Sequence, residues 1–348
     1  MSFLRRREIA FILAVTALFG GLAYLGISVS RENGRVALLW MPNAIAAAWL
    51  LRARWASSGP LIASCALMNI AVNRFVGDSW LIAIGLSGAN ALEIALVVWI
   101  IRKQVQRRLD MSEISDQVWL LVASLIACFG SATMASFVLA GGEGAFAIRD
   151  WTKWALADGL SLLVLLPVLL VGADIWGARK SFTRKFVTEW LVMIAVVATG
   201  STIVFAQSSY PFLFLVTSLI IYAAFRTGLA GTAAALLIVT IVASIASAAG
   251  RGPISLVRGG IEAQFFAFQV FLAANLVMGL PVAAMLAGRA RDRLELKKSR
   301  DASQHILDNI RDVIFSTDKG GRWSSLNPAW ETITGYCSEQ SLGTIRTA

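Results

Sequence analysis

Residues 79–103 read SWLIAIGLSGANALEIALVVWIIRK. From Trp80 to Ile101 the run holds one ionisable side chain, Glu93. A helix over it is roughly 33 Å long at about 1.5 Å per residue, enough to cross the hydrocarbon core of a bilayer. It ends on Arg102 and Lys103, as spans that reach a basic cytoplasmic face do. Apart from Ser87, Asn90 and Glu93 its faces are apolar from end to end, which argues against an amphipathic helix of a soluble bundle. An all-α, polytopic membrane fold follows if such runs recur.

They recur through residues 8–288. Ten spans are expected, at roughly 8–28, 36–52, 57–76, 79–101, 117–140, 153–173, 187–206, 211–225, 228–249 and 262–288. The second and eighth are short. The chain of 348 residues is 15% charged, against about 25% for soluble domains. Its net charge of +10 raises nucleic acid as a partner. The distribution of the charge argues instead for a lipid bilayer, because Lys and Arg cluster between the apolar runs. With the N-terminal side taken as inside, inside segments carry twenty Lys and Arg and outside segments seven. That alternation predicts both termini in the cytoplasm of a bacterial cell, at the inner membrane. The basic start and first apolar run read as an uncleaved span rather than a signal peptide. Cys65, Cys128 and Cys337 have neither metal-ligand spacing nor a disulfide framework.

Ionisable groups at membrane depth face a bundle interior or a water-filled cavity. Glu93 lies about 21 Å into its span. Asn90 and Ser87 stand above it on the same face, three and six residues earlier. Asp158 lies nearer an outer boundary, flanked on one face by Trp154 and Ser161. Asn69, Asn43 and Trp40 come from neighbouring spans. These groups either converge on a pocket open to the outside or, for the asparagines, tie helices together by hydrogen bonds. For Glu93 and Asp158 the alternatives are a pocket or an ion pair with Arg74 or Lys153. Trp80 and Trp151 read as interfacial belt residues. Pro42, Pro167 and Pro281 lie inside spans and permit kinks.

After Gly288 the last span runs on into residues 289–303 with strong helix formers and no Gly or Pro. Leu294, Ala302, Ile306, Ile310 and Val313 form a loose apolar stripe, which suits either a parallel homodimer or a solvated linker. Residues 306–341 then read ILDNIRDVIFSTDKGGRWSSLNPAWETITGYCSEQS. The pattern predicts a strand over DVIFSTD, a turn at 319–321, a strand over RWSSLN, and a helix with Asn327 as N-cap and Pro328 at its first position. This order, with its N-P-A and T-G-Y ends, resembles the first half of a PAS domain. A PAS domain of about 100 residues has three further strands, so an incomplete domain over 304–348 is expected, with output domains beyond it. A sheet this small buries little core on its own.

The membrane part resembles the membrane-associated sensor (MASE) domain, first family. The resemblance rests on LLWMPNAIAAAWLLRARW (38–55), LMNIAVN (67–73), GANALEIALVVWIIRK (88–103), WTKWALADGLSLLVLLPVLL (151–170) and, more weakly, residues 210–237. The family's W-x-P falls on Trp40 and Pro42. Its intramembrane Asn and Asn-x-x-Glu fall on Asn69, Asn90 and Glu93. Its W-x-x-x-D helix followed by Pro falls on Trp154, Asp158 and Pro167. Asn43 stands where the family often has a small residue. The resemblance implies a sensory input module over 1–288. Such modules sit upstream of PAS domains and then a diguanylate cyclase of cyclic di-GMP signalling, or a histidine kinase of a two-component system.

No catalytic constellation appears, and no enzyme, cofactor or metal is expected of this chain. The GGEGAF string at 141–146 lacks the carboxylate pair of a cyclase signature. His305, the one histidine, has no dimerising hairpin or ATP-binding domain around it. Two other function classes stay open. A transporter-like solute carrier fits the intramembrane carboxylates and prolines. A membrane anchor or docking platform for a partner protein needs no small ligand.

Overall fold

The computed structural model describes residues 2–32, 40–53, 58–140, 148–178 and 183–344. The 141–146 string lies outside them. Two compact units emerge, Met1–Ala287 and Gly288–Ala348. The first is a helical membrane bundle. Among the described residues eight helices are long and apolar enough to span a membrane. The difference from the ten spans expected lies in two places.

The first is the return after helix α1 (Ser2–Glu32). Thr16 Oγ1 meets Ser64 Oγ at 2.8 Å, Gly20 faces Met68, and Tyr24 meets Phe75 edge-on, so contacts advance together along α1 and α3 (Ser58–Val76). Helices related in this way are parallel. The chain must therefore travel back between them. Helix α2 (Met41–Arg52) is the described part of that return; its 12 residues cover only about 18 Å. Pro42 sits in its first turn, where the missing N–H costs nothing.

After α4 (Trp80–Val105) and α5 (Ile114–Leu139), helix α6 (Ile148–Leu160) passes through a π turn (Ser161–Leu165) into α7 (Leu166–Ala178). Pro167 explains the turn. It has no N–H for the carbonyl four residues back and its ring crowds that carbonyl, so a wider turn before it relieves both problems. The α4–α5 pair packs closely through glycine. A Cβ at Gly85 would lie 2.6 Å from Val138, and one at Gly88 2.7 Å from Met134. Small residues let membrane helices gain dispersion contact that lipid tails do not supply.

The second difference lies in α9 (Leu213–Ala248), which follows α8 (Arg184–Ala206). Its 36 residues contain Gly228 at φ 64°, ψ −153°, a conformation essentially reserved for glycine. The helix folds back there. A Cβ at Gly279 would touch both Ile220 and Thr232, residues that stand about 18 Å apart along a straight helix. The chain after α9 also returns to the end it left: the Gly252 N–H donates to Ser208 Oγ at 3.0 Å. The eighth and ninth expected spans are thus two antiparallel arms joined at one residue. The last of the long apolar helices, α10 (Gly260–Asn309), carries Pro281 inside it.

The end of the bundle where α2 finishes is stapled by charge. Arg52 and Arg108 both reach Asp174, at 2.7 and 2.5 Å. Arg107 grips the buried Asp116 with two hydrogen bonds, at 2.8 and 2.9 Å. Basic residues read from sequence as topology signals therefore also hold α2, α7 and the α4–α5 connection together.

In the second unit, β1 (Phe315–Thr317) and β2 (Trp323–Leu326) form an antiparallel hairpin, with Phe315 opposite Leu326. Helices α11 (Ala329–Thr334) and α12 (Ser338–Ser341) follow. Trp323 packs against Phe315 and Trp330, and few other apolar side chains are buried. The expected N-cap at Asn327 is corrected: Pro328 occupies that position, and no side chain caps the helix. Asn327 turns its side chain inward instead. Its Oδ1 accepts the Ile314 N–H at 2.9 Å, and its Nδ2 donates to the Leu307 and Asp312 carbonyls. Carbonyls left open where α10 ends find a buried donor there, and satisfying them outweighs a cap.

Candidate functional site

The α4 face expected from residue spacing is buried along its length at Ser87, Asn90 and Glu93. Glu93 is fully buried and receives donors from two helices. Asn43 on α2 donates Nδ2 to Glu93 Oε2 at 3.0 Å and to Asn90 Oδ1 at 2.8 Å. Ser131 on α5 donates Oγ to the same Glu93 oxygen at 3.0 Å. On the remaining side the carboxyl group of Asp158, from α6, comes within hydrogen-bonding reach of Glu93. Four helices thus place polar groups at one point. The π turn and Pro167 follow Asp158 within three turns, so the backbone irregularity of α6–α7 lies beside the carboxyl pair.

Above this cluster opens a cavity of about 390 Å³. Trp40, Asn90, Trp154 and Asp158 line it, with Gly26 of α1, Asn73 of α3, Asp78, Asp150 and Lys153. It lies at the end of the bundle where α1 finishes and α4 and α6 begin. Trp40 closes one wall: its ring lies against Gly26, and its backbone N–H donates to the Ala157 carbonyl at 3.4 Å. Among the described residues Glu93 Oε1 and Asp158 Oδ2 receive no N–H or hydroxyl donor in good geometry, which leaves the neighbouring carboxyl group, with the Trp154 indole beside Asp158, as what each meets.

Six of the seven residues singled out from sequence, Trp40, Asn43, Asn90, Glu93, Trp154 and Asp158, fall in the cluster or its cavity. Asn69 does not. It is buried on α3 and accepts a hydrogen bond from Asn73 Nδ2 at 3.0 Å, so it supports a cavity residue from behind. Arg74, one of two cations expected near the carboxyls, is turned elsewhere. It donates to the Asp78 carbonyl and lies 4.8 Å over the Trp80 ring. Ser131 and Asn73 were not anticipated. Asn73 stands one turn after Asn69, and Ser131 lies in the small-residue run of α5 that faces α4.

Two carboxyl groups in contact away from water are held by a shared proton or by a cation between or beside them. Among the described residues no three His, Cys, Asp or Glu side chains are grouped to hold a metal ion. The arrangement suits recognition or proton holding.

Comparison with known proteins bears on residues on both sides of α10's midpoint. The MASE1 family model matches residues 10–290, and the PAS fold matches residues 303–345. A stretch of 49 residues is 33% identical to Sporulation kinase C of Bacillus subtilis (strain 168); it makes up 14% of this chain and 11% of that protein. No solved structure matches.

Proposed function

This chain belongs to the MASE1 family, and from that premise we propose that it is the sensory input part of a membrane signalling protein. In this reading residues 1–288 perceive, residues 289–303 convey, and residues 304–348 belong to a PAS domain that passes the state to an output domain. The output is a diguanylate cyclase or a histidine kinase. The chain itself performs no catalysis. It works in the bacterial inner membrane with both termini cytoplasmic, as a homodimer through the last span and its extension.

The observation that carries the reading is the buried Glu93–Asp158 pair beneath a cavity. A lipid-exposed anchor has no use for such a group at that depth, since burying it is costly. A ligand or protonation event there favours one of two helix arrangements over the other. Gln117 offers a route onward. It stands at the start of α5, whose Ser131 holds Glu93, and donates Nε2 to the Leu280 carbonyl at 3.1 Å, immediately before Pro281 of α10. Leu294 and Ile306, further along α10, are exposed and suit contact with a second copy.

Cysteine cross-linking in native membranes tests this. Cysteines at Leu294, Ala302 and Ile306 report the register of α10 between copies. E93Q and D158N are expected to change the cross-linking pattern at unchanged membrane level. An unchanged pattern assigns the bundle to anchoring.

A further inference from the structure

The polarity of the groups around Glu93 and Asp158 narrows what the pair can hold. Asn43 Nδ2 and Ser131 Oγ both turn hydrogens toward Glu93 Oε2. The Trp154 indole stands beside Asp158 in the same sense. Donors suit a carboxylate and repel a metal ion, which needs oxygen lone pairs turned inward. The two carboxyl groups themselves meet directly. A carboxylate has no hydrogen to donate, so a hydrogen bond between the two requires a proton on one of them.

Among the described residues no fixed cation replaces that proton. Glu93 is the one ionisable residue of α4 between Trp80 and Ile101. Helix α2 brings Asn43, and its Arg52 is engaged with Asp174. Helix α5 brings Ser131 and the Cys128 thiol, which donates to the Ala155 carbonyl. Arg74 of α3 is turned to the Asp78 carbonyl and the Trp80 ring. Asp78, Asp150 and Lys153 line the cavity. The groups that act on Asp158 are instead Glu93 and the Trp154 indole.

We propose that the Glu93–Asp158 pair is a proton-binding site, that it exchanges one proton with the outer side of the membrane through the cavity, and that this proton is the stimulus. The inference rests on the sensory reading and names its ligand. Asp158 lines the cavity and Glu93 does not, so the proton passes by way of Asp158. On release the O–H bond of one carboxyl group breaks, its electron pair stays on the oxygen, and the proton goes to water in the cavity. Two carboxylates then face each other away from bulk water, and their repulsion drives α4 and α6 apart. The π turn that begins at Ser161 is where α6 yields. The packed arrangement therefore belongs to the protonated pair and is lost as the outer pH rises through the titration of the pair.

The test is infrared spectroscopy of the full chain in lipid vesicles of one orientation. It reads the carbonyl stretch of protonated carboxyl groups, which shifts in heavy water. At about pH 7 exposed carboxyl groups are ionised, so the band isolates buried ones. The wild type is expected to show the band. E93Q and D158N, which keep the shape of a protonated carboxyl group, are each expected to move it, and the two together to abolish it. E331Q, in the C-terminal unit, is expected to leave it unchanged. Raising the pH outside is expected to bleach the band, and adding Na⁺ at constant pH to leave it in place. No band in the folded wild type overturns the proposal, as does a band that survives in the double variant. Displacement of the band by Na⁺, or a response to the pH inside alone, also overturns it. The α10 cross-linking readout is separate. A protonated pair with α10 unmoved by pH leaves the proton site standing and removes the sensory reading; an α10 that responds to E93Q and D158N without a protonated carboxyl band does the reverse.

Discussion

The carboxyl groups of Glu93 on α4 and Asp158 on α6 meet inside the bundle, with Asn43 and Ser131 holding the far side of Glu93. The two residues come from spans that are not neighbours in sequence.

Truncating Glu93 should expose how tightly this point is built. E93A removes an acceptor shared by the Asn43 amide and the Ser131 hydroxyl, leaving them only Asn90 Oδ1 and the Cys128 carbonyl, and opens a buried void, at a cost of about 2–3 kcal/mol. E93Q keeps an acceptor and adds a donor toward Asp158, so its cost should stay below about 1 kcal/mol. Thermal unfolding in detergent distinguishes the two; equal destabilisation contradicts the geometry.

Gly228 should be intolerant for backbone reasons alone. A Cβ there meets nothing within 4 Å, yet the residue holds φ +64°. G228A is therefore expected to destabilise by about 1–3 kcal/mol through strain. The fold-back also makes a topological prediction. Cysteines at Leu213 and Ala248 should react with an impermeant maleimide from the same side of the membrane. Labelling from opposite sides means that α9 is one continuous span.

The α4–α5 contact separates two glycines by what faces them. Gly85 meets the branched carbons of Val138, which cannot swing away, whereas Gly88 meets the flexible end of Met134. G85A should cost about 1–3 kcal/mol and G88A less than about 1 kcal/mol. The reverse order in unfolding temperature contradicts the packing described.

In the C-terminal unit the exposed Glu331 carboxylate accepts the Ser338 N–H at 2.7 Å, which holds it below the usual carboxylate range. The contact is present above the ordinary value of about 4.3 and is lost as pH falls through the lowered one. The Ser338 amide resonance should move with that titration, and E331Q should abolish the movement. A Ser338 shift that persists in E331Q assigns it to another group.

The sequence disclosed the spans because apolar runs and basic clusters alternate along it, and it disclosed Glu93 and Asp158 because charge at membrane depth stands out. It did not disclose the length of α2, since the flanking apolar residues 36–40 read as span whether or not they are helical. The sharp return at Gly228 was legible only as a boundary between two runs. Ser131 and Asn73 were invisible for a different reason. Small polar residues are common in membrane helices, and their value depends on which helix lies opposite. Asn327 misled because N-P is a strong helix-start signal, while buried open carbonyls compete for the same side chain.

Hydrogen–deuterium exchange of residues 277–309 in nanodiscs tests the central claim most directly. If the carboxyl pair controls α10, then E93Q and D158N should each change exchange protection around Pro281 and onward through Ile306, and Q117L should abolish that difference. Protection identical to wild type in both carboxyl variants, with each folded, contradicts the account.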